Sequence, residues 1–523
     1  MVSPPGDSGS HPGQTRISLP SRPSPLPWLV GSLLVALFLA SRLIHLLALP
    51  IFVDEGMHIS RAQRMLATGN FLHETLAGKF LHIWLLVSIV NWTGNPLMAA
   101  RALSAVTGLA SAIATFYLAR LLWPRKNIGW IAALIYLVLP LPLINERMAL
   151  ADSLLTALTT LILILSLKLI RQPSSATGYA LGVCLGLAYL TKLNGLIYLA
   201  IPIFSLILLK GWQQSAKILI RPYLVAFMVS LPTVTEFPRQ FLSVAVRGLS
   251  NPMGPQTSTI TWWLYSLGET WLDLTTYVTW PILLLAAMRL LYDLRSRERE
   301  ASLFAVLLLL SPAVYALLGK DVWYSRYLLP IVPLLAVLAA RTLSDLASLL
   351  AQQTRLKHSR IWLVLLCLLT LLPGMIFNYQ LITNPSYAPF TPVDRWQYIT
   401  GWPSGYGLAE AVTWLQQEAA RKGPLVVITS IYSGPTQEGL RLYLGNDEPD
   451  IRLLSVDLRS DSGEMLQRLV QTQTVPTLLV LNEPIDRDPN PLASTCPTTR
   501  AIFAKPENKS RLVLKGCKEL WRE

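Results

Sequence analysis

Between Trp28 and Asn378 the chain carries one long apolar run after another, and this limits its fold more than any other feature. A helix crossing a bilayer needs about 20 such residues, and only helices and closed barrels satisfy their backbone there. The runs cover Trp28 to Phe52 and then roughly 98–120, 127–145, 152–170, 177–191, 194–210, 219–235, 270–290, 301–318, 327–344 and 361–378. By the same length criterion that makes about eleven spans. Only 14% of the 523 residues are charged and 52% are hydrophobic, whereas a soluble domain carries about 25% charged residues. A simple cytosolic enzyme and a disordered chain are both excluded. The formal net charge of +14 would suit a nucleic-acid partner. The basic residues instead sit in short clusters between apolar runs, as in polytopic membrane proteins, so no nucleic acid is expected.

The architecture expected is an all-α polytopic membrane domain over 28–378 and a soluble α/β domain over 379–523. A disordered, Pro- and Ser-rich segment, 1–27, comes first. The stretch Phe80 to Asn91 is apolar but only about a dozen residues long, a length suited to an interfacial segment rather than a span. If it does not cross, the clusters Arg120/Arg125/Lys126, Lys168/Arg171, Lys210/Lys217/Arg221, Arg295/Arg297/Arg299 and Arg355/Lys357/Arg360 share one side. The positive-inside rule makes that side cytoplasmic and puts the C-terminal tail outside. The outer face then holds a long first loop (51–97) with an amphipathic helix, a second loop (236–261) with Arg239 and Arg247, and the tail.

The tail reads as helix 408–421, strand 425–430, helix 436–444, strand 451–456, helix 463–472 and strand 477–481. Strands alternating with helices make a small α/β layer. Cys496 and Cys517 lie there on the oxidising side, either as two free thiols or as a disulfide closing about twenty residues, worth roughly 3 kcal/mol. Cys184 and Cys367 fall within spans as apolar filler.

Ionisable residues are scarce enough that their positions are informative. Asp54 and Glu55 stand where the first span leaves the membrane, and adjacent carboxylates there must be solvated, paired or functional. Either can serve as a general base for a hydroxyl, or simply favour the N-terminus of the next helix. His58, one turn on, can share a metal with Asp54 or be a surface histidine. Arg42, near the outer end of the first span, can snorkel or pair with an acid. Asp152 opens a span, where helix capping is the plain alternative. Lys79, Arg147, Lys192, Lys320 and Arg326 run against the general charge bias by lying outside, and together can hold the phosphates of an anionic ligand. Tyr327, with Trp323 and Tyr324, fits an interfacial belt or a sugar contact. No Cys-x-x-Cys pair or Cys/His cluster marks a structural zinc site.

At these residues the sequence resembles the C-type (GT-C) membrane glycosyltransferases that use polyprenyl-phosphate sugars, in the bacterial protein-mannosyltransferase-like and aminoarabinose-transferase-like branch. Arg42 and Val53-Asp54-Glu55-Gly56 resemble the acidic motif of the first loop, and Arg61 to Phe71 the amphipathic helix after it. Glu146 to Asp152 resembles the Arg-Met-x-x-x-Asp start of a span; Leu187 to Lys192 and Arg326 to Pro330 resemble two further strings. The likeness covers roughly 28–378. Lys79 lacks the Pro-Pro that follows it in many members, and Gly78 stands where some have an acid. The resemblance implies a lipid-phosphate-linked sugar donor, a hydroxyl acceptor on a protein, glycolipid or envelope glycan, and a multi-pass enzyme of the bacterial inner membrane. It implies Asp54 as base, inversion at the anomeric carbon, and Lys79, Arg147, Lys192 and Arg326 around the departing phosphate. A divalent metal is the one cofactor it leaves open, with no residue assigned to it.

A transporter or flippase of lipid-linked sugars is the main rival. Such proteins place their sites near the midplane between internal repeats. Here the ionisable residues gather at one face and the spans show no repeat.

Overall fold

The structure, a computed structural model, describes residues 26–72, 78–124, 126–211, 217–236, 238, 259–318, 323–354, 358–431, 433–445, 448–457, 464–485 and 495–517. Lys320, Arg239 and Arg247 lie outside the described residues.

The chain opens with α1 (Leu26–Leu43), α2 (Val53–Thr68), α3 (Phe80–Val87), α4 (Pro96–Leu122), α5 (Lys126–Val138) and α6 (Pro140–Glu146). It continues with α7 (Asp152–Arg171), α8 (Ser175–Thr191), α9 (Ala200–Lys210) and α10 (Lys217–Ser230). Helices Thr259–Asp273, Trp280–Arg295, Arg299–Leu318, Val332–Gln353 and Ser359–Thr383 complete the membrane body. Local chemistry sets several starts. Asn95 accepts a hydrogen bond from the Met98 amide (3.0 Å) ahead of Pro96, and Ser174 does the same for Thr177 (3.2 Å). Pro140 supplies no amide to continue α5, and α6 leaves it at 63°.

Among the described residues eight helices are long and apolar enough to cross a membrane, or nine if the bent α5–α6 pair is one span. The count of eleven is therefore not confirmed. The other two expected spans correspond to α1 and α8, whose apolar stretches fall short of that length. With eight residues, α3 reaches about 12 Å, too short to cross. α7 and the Ser325–Gln353 stretch form the centre, each with 78% of its apolar window buried against 22% for Ser359–Thr383 at the rim. Hydroxyls inside α7 are satisfied by their own helix, Thr156 to the Asp152 carbonyl and Thr160 to that of Thr156, both at 2.8 Å. α8 lies hard against α10, because a Cβ on Gly182 would sit 2.5 Å from the Pro222 carbonyl.

The tail forms one sheet from β1 (Leu425–Ser430), β2 (Ile451–Val456), β3 (Thr477–Glu483), β4 (Thr498–Ala504) and β5 (Arg511–Gly516), in the order β2-β1-β3-β5-β4. β1 runs parallel to β2 and β3, and β5 antiparallel to β3 and β4. Helices Leu408–Lys422, Thr436–Leu444 and Glu464–Thr472 accompany it. β1 is buried throughout, as a strand covered on both faces must be, and reads as a continuous apolar run. Cys496 and Cys517 are joined by a disulfide.

This layer is bonded to the chain just before α2. The Val53 amide donates to the Pro403 carbonyl (3.1 Å), and the Ile51 amide to the Tyr443 hydroxyl (3.1 Å). Lys505, almost fully buried, donates to the carbonyls of Gly401 (3.2 Å), Trp402 (3.3 Å) and Ser404 (2.8 Å) and so holds that loop in place.

Candidate active site

The two adjacent carboxylates at the start of α2 have different surroundings. Glu55 is fully buried and its acceptor positions are filled. Oε1 receives Arg101 Nε (2.8 Å) and the Ala149 amide (2.7 Å); Oε2 receives Arg101 Nη2 (2.7 Å) and the Phe52 amide (2.9 Å). A carboxylate so occupied has no lone pair left for a substrate proton. Glu55, expected beside Asp54 as a catalytic residue, is placed by these bonds as the joint between α2, α4 and the loop before α7. Asp54 faces the other way. Its Oδ2 lies 3.2 Å from Arg326 Nη2, and its side chain is 19% exposed where that of Glu55 is 0%.

Asp152 opens α7, and its Oδ1 takes a 2.8 Å bond from Lys192 Nζ at the end of α8. Lys79, just before α3, lies within the electrostatic reach of Asp54, Lys192, Arg326 and Asp152 together. Two acids and three bases, from five places between residues 54 and 326, thus meet in one neighbourhood with one positive charge in excess. Tyr327 floors it: the Lys192 ammonium stands 5.8 Å from the centre of its ring, which stacks on Tyr315 at 3.8 Å. The Arg326 guanidinium lies 4.5 Å over Tyr324 and 5.7 Å over Phe52.

His58 is neither a surface histidine nor a metal partner of Asp54. It is buried, with Nδ1 2.9 Å from the Ala149 carbonyl and Nε2 2.8 Å from Lys79 Nζ. A carbonyl only accepts, so Nδ1 carries the proton and Nε2 accepts from the lysine. Burial first, then Lys79 and His82, hold its pKa well below the ordinary range, which keeps the ring neutral. Burial and Lys79 likewise push the adjacent His82 down to about 4. Burial brings Lys79 down to about 8 against the opposing pull of Asp54. Among the described residues no three His, Cys, Asp or Glu side chains converge as a metal requires, and both His58 nitrogens are in use, so the residues here do not fit the divalent metal.

Arg147 is placed apart from this group. Its Nη1 donates to the carbonyls of Ser41 (2.9 Å), Arg42 (3.0 Å) and Ile44 (2.8 Å), and Nη2 to that of His45 (2.7 Å). It closes the end of α1, where burial and then the nearby Arg101 and Arg42 lower its pKa to about 10. Arg42 itself pairs with Glu146 at 2.7 Å, both buried, and Tyr136 donates to the same carboxylate at 2.8 Å. Arg42 thus pairs with an acid, one of the two placements expected of it, and Arg147, expected beside the departing phosphate, is placed here against backbone carbonyls at the end of α1.

Three supports escaped the sequence reading. Arg101 secures Glu55 from the second turn of α4, and a charge inside so apolar a run was the available signal. Asp394 accepts from Ser325 Oγ (2.5 Å) and Gln397 Nε2 (3.0 Å). Asp273 accepts from Thr391 Oγ1 (2.9 Å) and Trp323 Nε1 (3.2 Å). These last two tie the turn bearing Arg326 to the start of the tail, and no local pattern announces them.

In sequence and in fold the chain is similar to membrane glycosyltransferases that use polyprenyl-phosphate sugars, and it spans less than two thirds of the length of the curated relatives it matches. The family model for dolichyl-phosphate-mannose-protein mannosyltransferase matches residues 58–238. The chain is 26% identical over 357 residues to undecaprenyl phosphate-alpha-4-amino-4-deoxy-L-arabinose arabinosyl transferase 1 of Pseudomonas fluorescens, a match spanning 63% of this chain and 62% of that protein. Its likeness to arabinosyl transferase 2 of Proteus mirabilis is 25% over 228 residues, 39% of this chain and 40% of the relative. In three dimensions it superposes on ArnT from Cupriavidus metallidurans bound to undecaprenyl phosphate with a TM-score of 0.60, at 15% identity, over 95% of this chain and 99% of that one. The apo form of the same enzyme gives 0.58 over 94% and 97%, again at 15% identity.

Proposed function

We propose that the protein transfers a sugar from a polyprenyl-phosphate-linked donor to a hydroxyl acceptor at the outer face of a bacterial inner membrane. The N-terminus lies in the cytoplasm and the 379–523 domain lies outside, over a catalytic body formed by 28–378. The observation that carries this reading is the convergence of Asp54 with Lys79, Lys192 and Arg326 at the membrane edge. In this reading Asp54 takes the acceptor's hydroxyl proton as the oxygen attacks the anomeric carbon. The bond from that carbon to the phosphate oxygen breaks with inversion, and its electron pair leaves on the lipid phosphate. Lys79, Lys192 and Arg326 meet the developing charge, an electrostatic contribution commonly worth several kcal/mol in a dry site. Arg326 is shared: a phosphate drawing its guanidinium frees the Asp54 carboxylate for the incoming hydroxyl. His58 holds Lys79 from behind, and Asp152 holds Lys192. The names of the relatives make 4-amino-4-deoxy-L-arabinose on undecaprenyl phosphate the first donor to try.

The test is Asp54→Asn in proteoliposomes supplied with a polyprenyl-phosphate sugar. Loss of transfer by about 10²–10⁴-fold, with folding retained, is the expected result for a general base. Transfer at the wild-type rate by this variant would remove Asp54 from the chemistry. Labelled donor crossing the bilayer without a glycosylated product would identify a carrier instead.

A further inference from the structure

The far end of the membrane body carries a feature that sugar transfer does not use. α7 runs from Asp152 in the candidate site to Arg171, about 29 Å away by the helical rise, and α8 returns from Ser175 to the Lys192 end. At the Arg171–Ser175 turn, α7, α8 and α10 enclose a groove of about 670 Å³. Its lining carries Lys217 and Arg221 and is apolar at buried Leu169 and along the exposed flank of Ile220 and Leu224. Ile220 is 64% exposed and Leu224 60%, so this trough opens sideways toward the hydrocarbon. Arg221 is held in place: Nη1 donates to Ser175 Oγ at 2.6 Å, and the guanidinium lies 5.3 Å over the ring of Tyr179. Among the described residues neither Lys217 nor Arg221 has a carboxylate partner, whereas neighbouring Arg171 is paired with Glu300 at 2.9 Å. The inside charge bias accounts for basic residues at this face. It does not account for a guanidinium fixed beside a second cation, both without a carboxylate among the described residues, over an open apolar trough.

We propose that this groove binds an anionic phospholipid of the leaflet opposite the candidate active site, with its phosphate against Lys217 and Arg221 and an acyl chain along Ile220 and Leu224. Both chemistries are required, since free phosphate has no use for the trough and a zwitterionic lipid carries its own cation against the two basic side chains. A lipid seated there also bears on the α8–α10 pair, the glycine-packed unit whose other end presents Lys192.

The full-length protein in phosphatidylcholine bilayers doped with phosphatidylglycerol tests this, with lipid retention read by native mass spectrometry. The wild type should retain phosphatidylglycerol over phosphatidylcholine, and K217Q/R221Q should lose about 25-fold of that preference, from roughly fivefold per basic side chain. R221K should keep most of it. L224W, which fills the trough and spares both cations, should lose phosphatidylglycerol as well. Millimolar inorganic phosphate should release none of the bound lipid. Equal retention of the two lipids by the wild type, undiminished preference in K217Q/R221Q, or displacement by inorganic phosphate would each overturn the proposal.

Discussion

Replacing Arg101 by methionine should destabilise the protein more than any substitution in the acid–base cluster. Arg101 is fully buried and donates five hydrogen bonds: two to Glu55 and one each to the carbonyls of Leu46 (2.9 Å), Leu49 (2.7 Å) and Pro50 (3.1 Å). Methionine fills much of the same volume, so the loss is electrostatic rather than a cavity. It leaves Glu55 as an uncompensated carboxylate in a dry site, and breaking a buried ion pair in this way costs about 3–5 kcal/mol. Adding Glu55→Gln removes the buried charge but keeps one acceptor for the Phe52 or Ala149 amide. The double variant should therefore be more stable than R101M alone by about 1–3 kcal/mol, the desolvation that a neutral amide no longer bears. Denaturation midpoints in detergent micelles for the wild type, both single variants and the double variant complete the cycle. Costs that simply add would show that the two side chains do not act as a pair, and Glu55 would have to be reconsidered as a group free to take a proton.

Two pH dependences accompany this. His82 titrates near 4 in the fold and near 6.5 when unfolded. As the pH falls, the unfolded chain takes up this proton first, so stability is lost between about 6.5 and 4 and levels off below. His82→Phe keeps a ring and should make that decline shallower, leaving the share due to His58; an unchanged slope in melting midpoint against pH would refute it. Lys79, brought down to about 8 by burial, should lose its charge as the pH rises through that value. The KM for the lipid donor should then climb above pH 8, while Lys79→Arg, which stays charged, should hold it flat. Parallel profiles would remove Lys79 from phosphate binding.

In so apolar a chain the ionisable residues are few, and that made Asp54, Lys79, Asp152, Lys192 and Arg326 legible before any coordinates. Their division of labour was not. Whether Asp54 or its neighbour Glu55 stays available depends on Arg101, 46 positions along the chain from Glu55, and no local pattern carries that information. Arg147 stood out because outer cations oppose the charge bias, but four backbone carbonyls, rather than a ligand, are what it meets. His58 was misplaced because an amphipathic helix at the membrane edge is expected to wet one face, and here Lys79, His82 of α3 and the loop before α7 cover it. The count of eleven spans is not confirmed for a related reason: among the described residues Pro140 bends one apolar run, and two others form helices just short of the crossing length. β4 was missed since it is a largely exposed edge strand without the buried apolar run of β1 and β3, and β5, although buried, offers only three consecutive apolar residues, Leu512, Val513 and Leu514, between charged neighbours.

The peptide immediately before Asp54 is held from two directions by parts of the chain that lie far apart in sequence. From below, Arg101 fastens the carbonyls of Leu46, Leu49 and Pro50 together with Glu55. From above, Pro403 and Tyr443 take the amides of Val53 and Ile51, and the loop holding Pro403 is itself fixed by Lys505. Neither set touches the Asp54 carboxylate, yet together they fix its Cα and hence the direction from which it meets Arg326. A shift of about 1 Å in a reacting group is enough to cost on the order of 10²-fold in rate. In the proposed reaction the tail therefore acts through the position of Asp54, and substitutions at its contact with Ile51 and Val53 should act on turnover rather than on donor affinity.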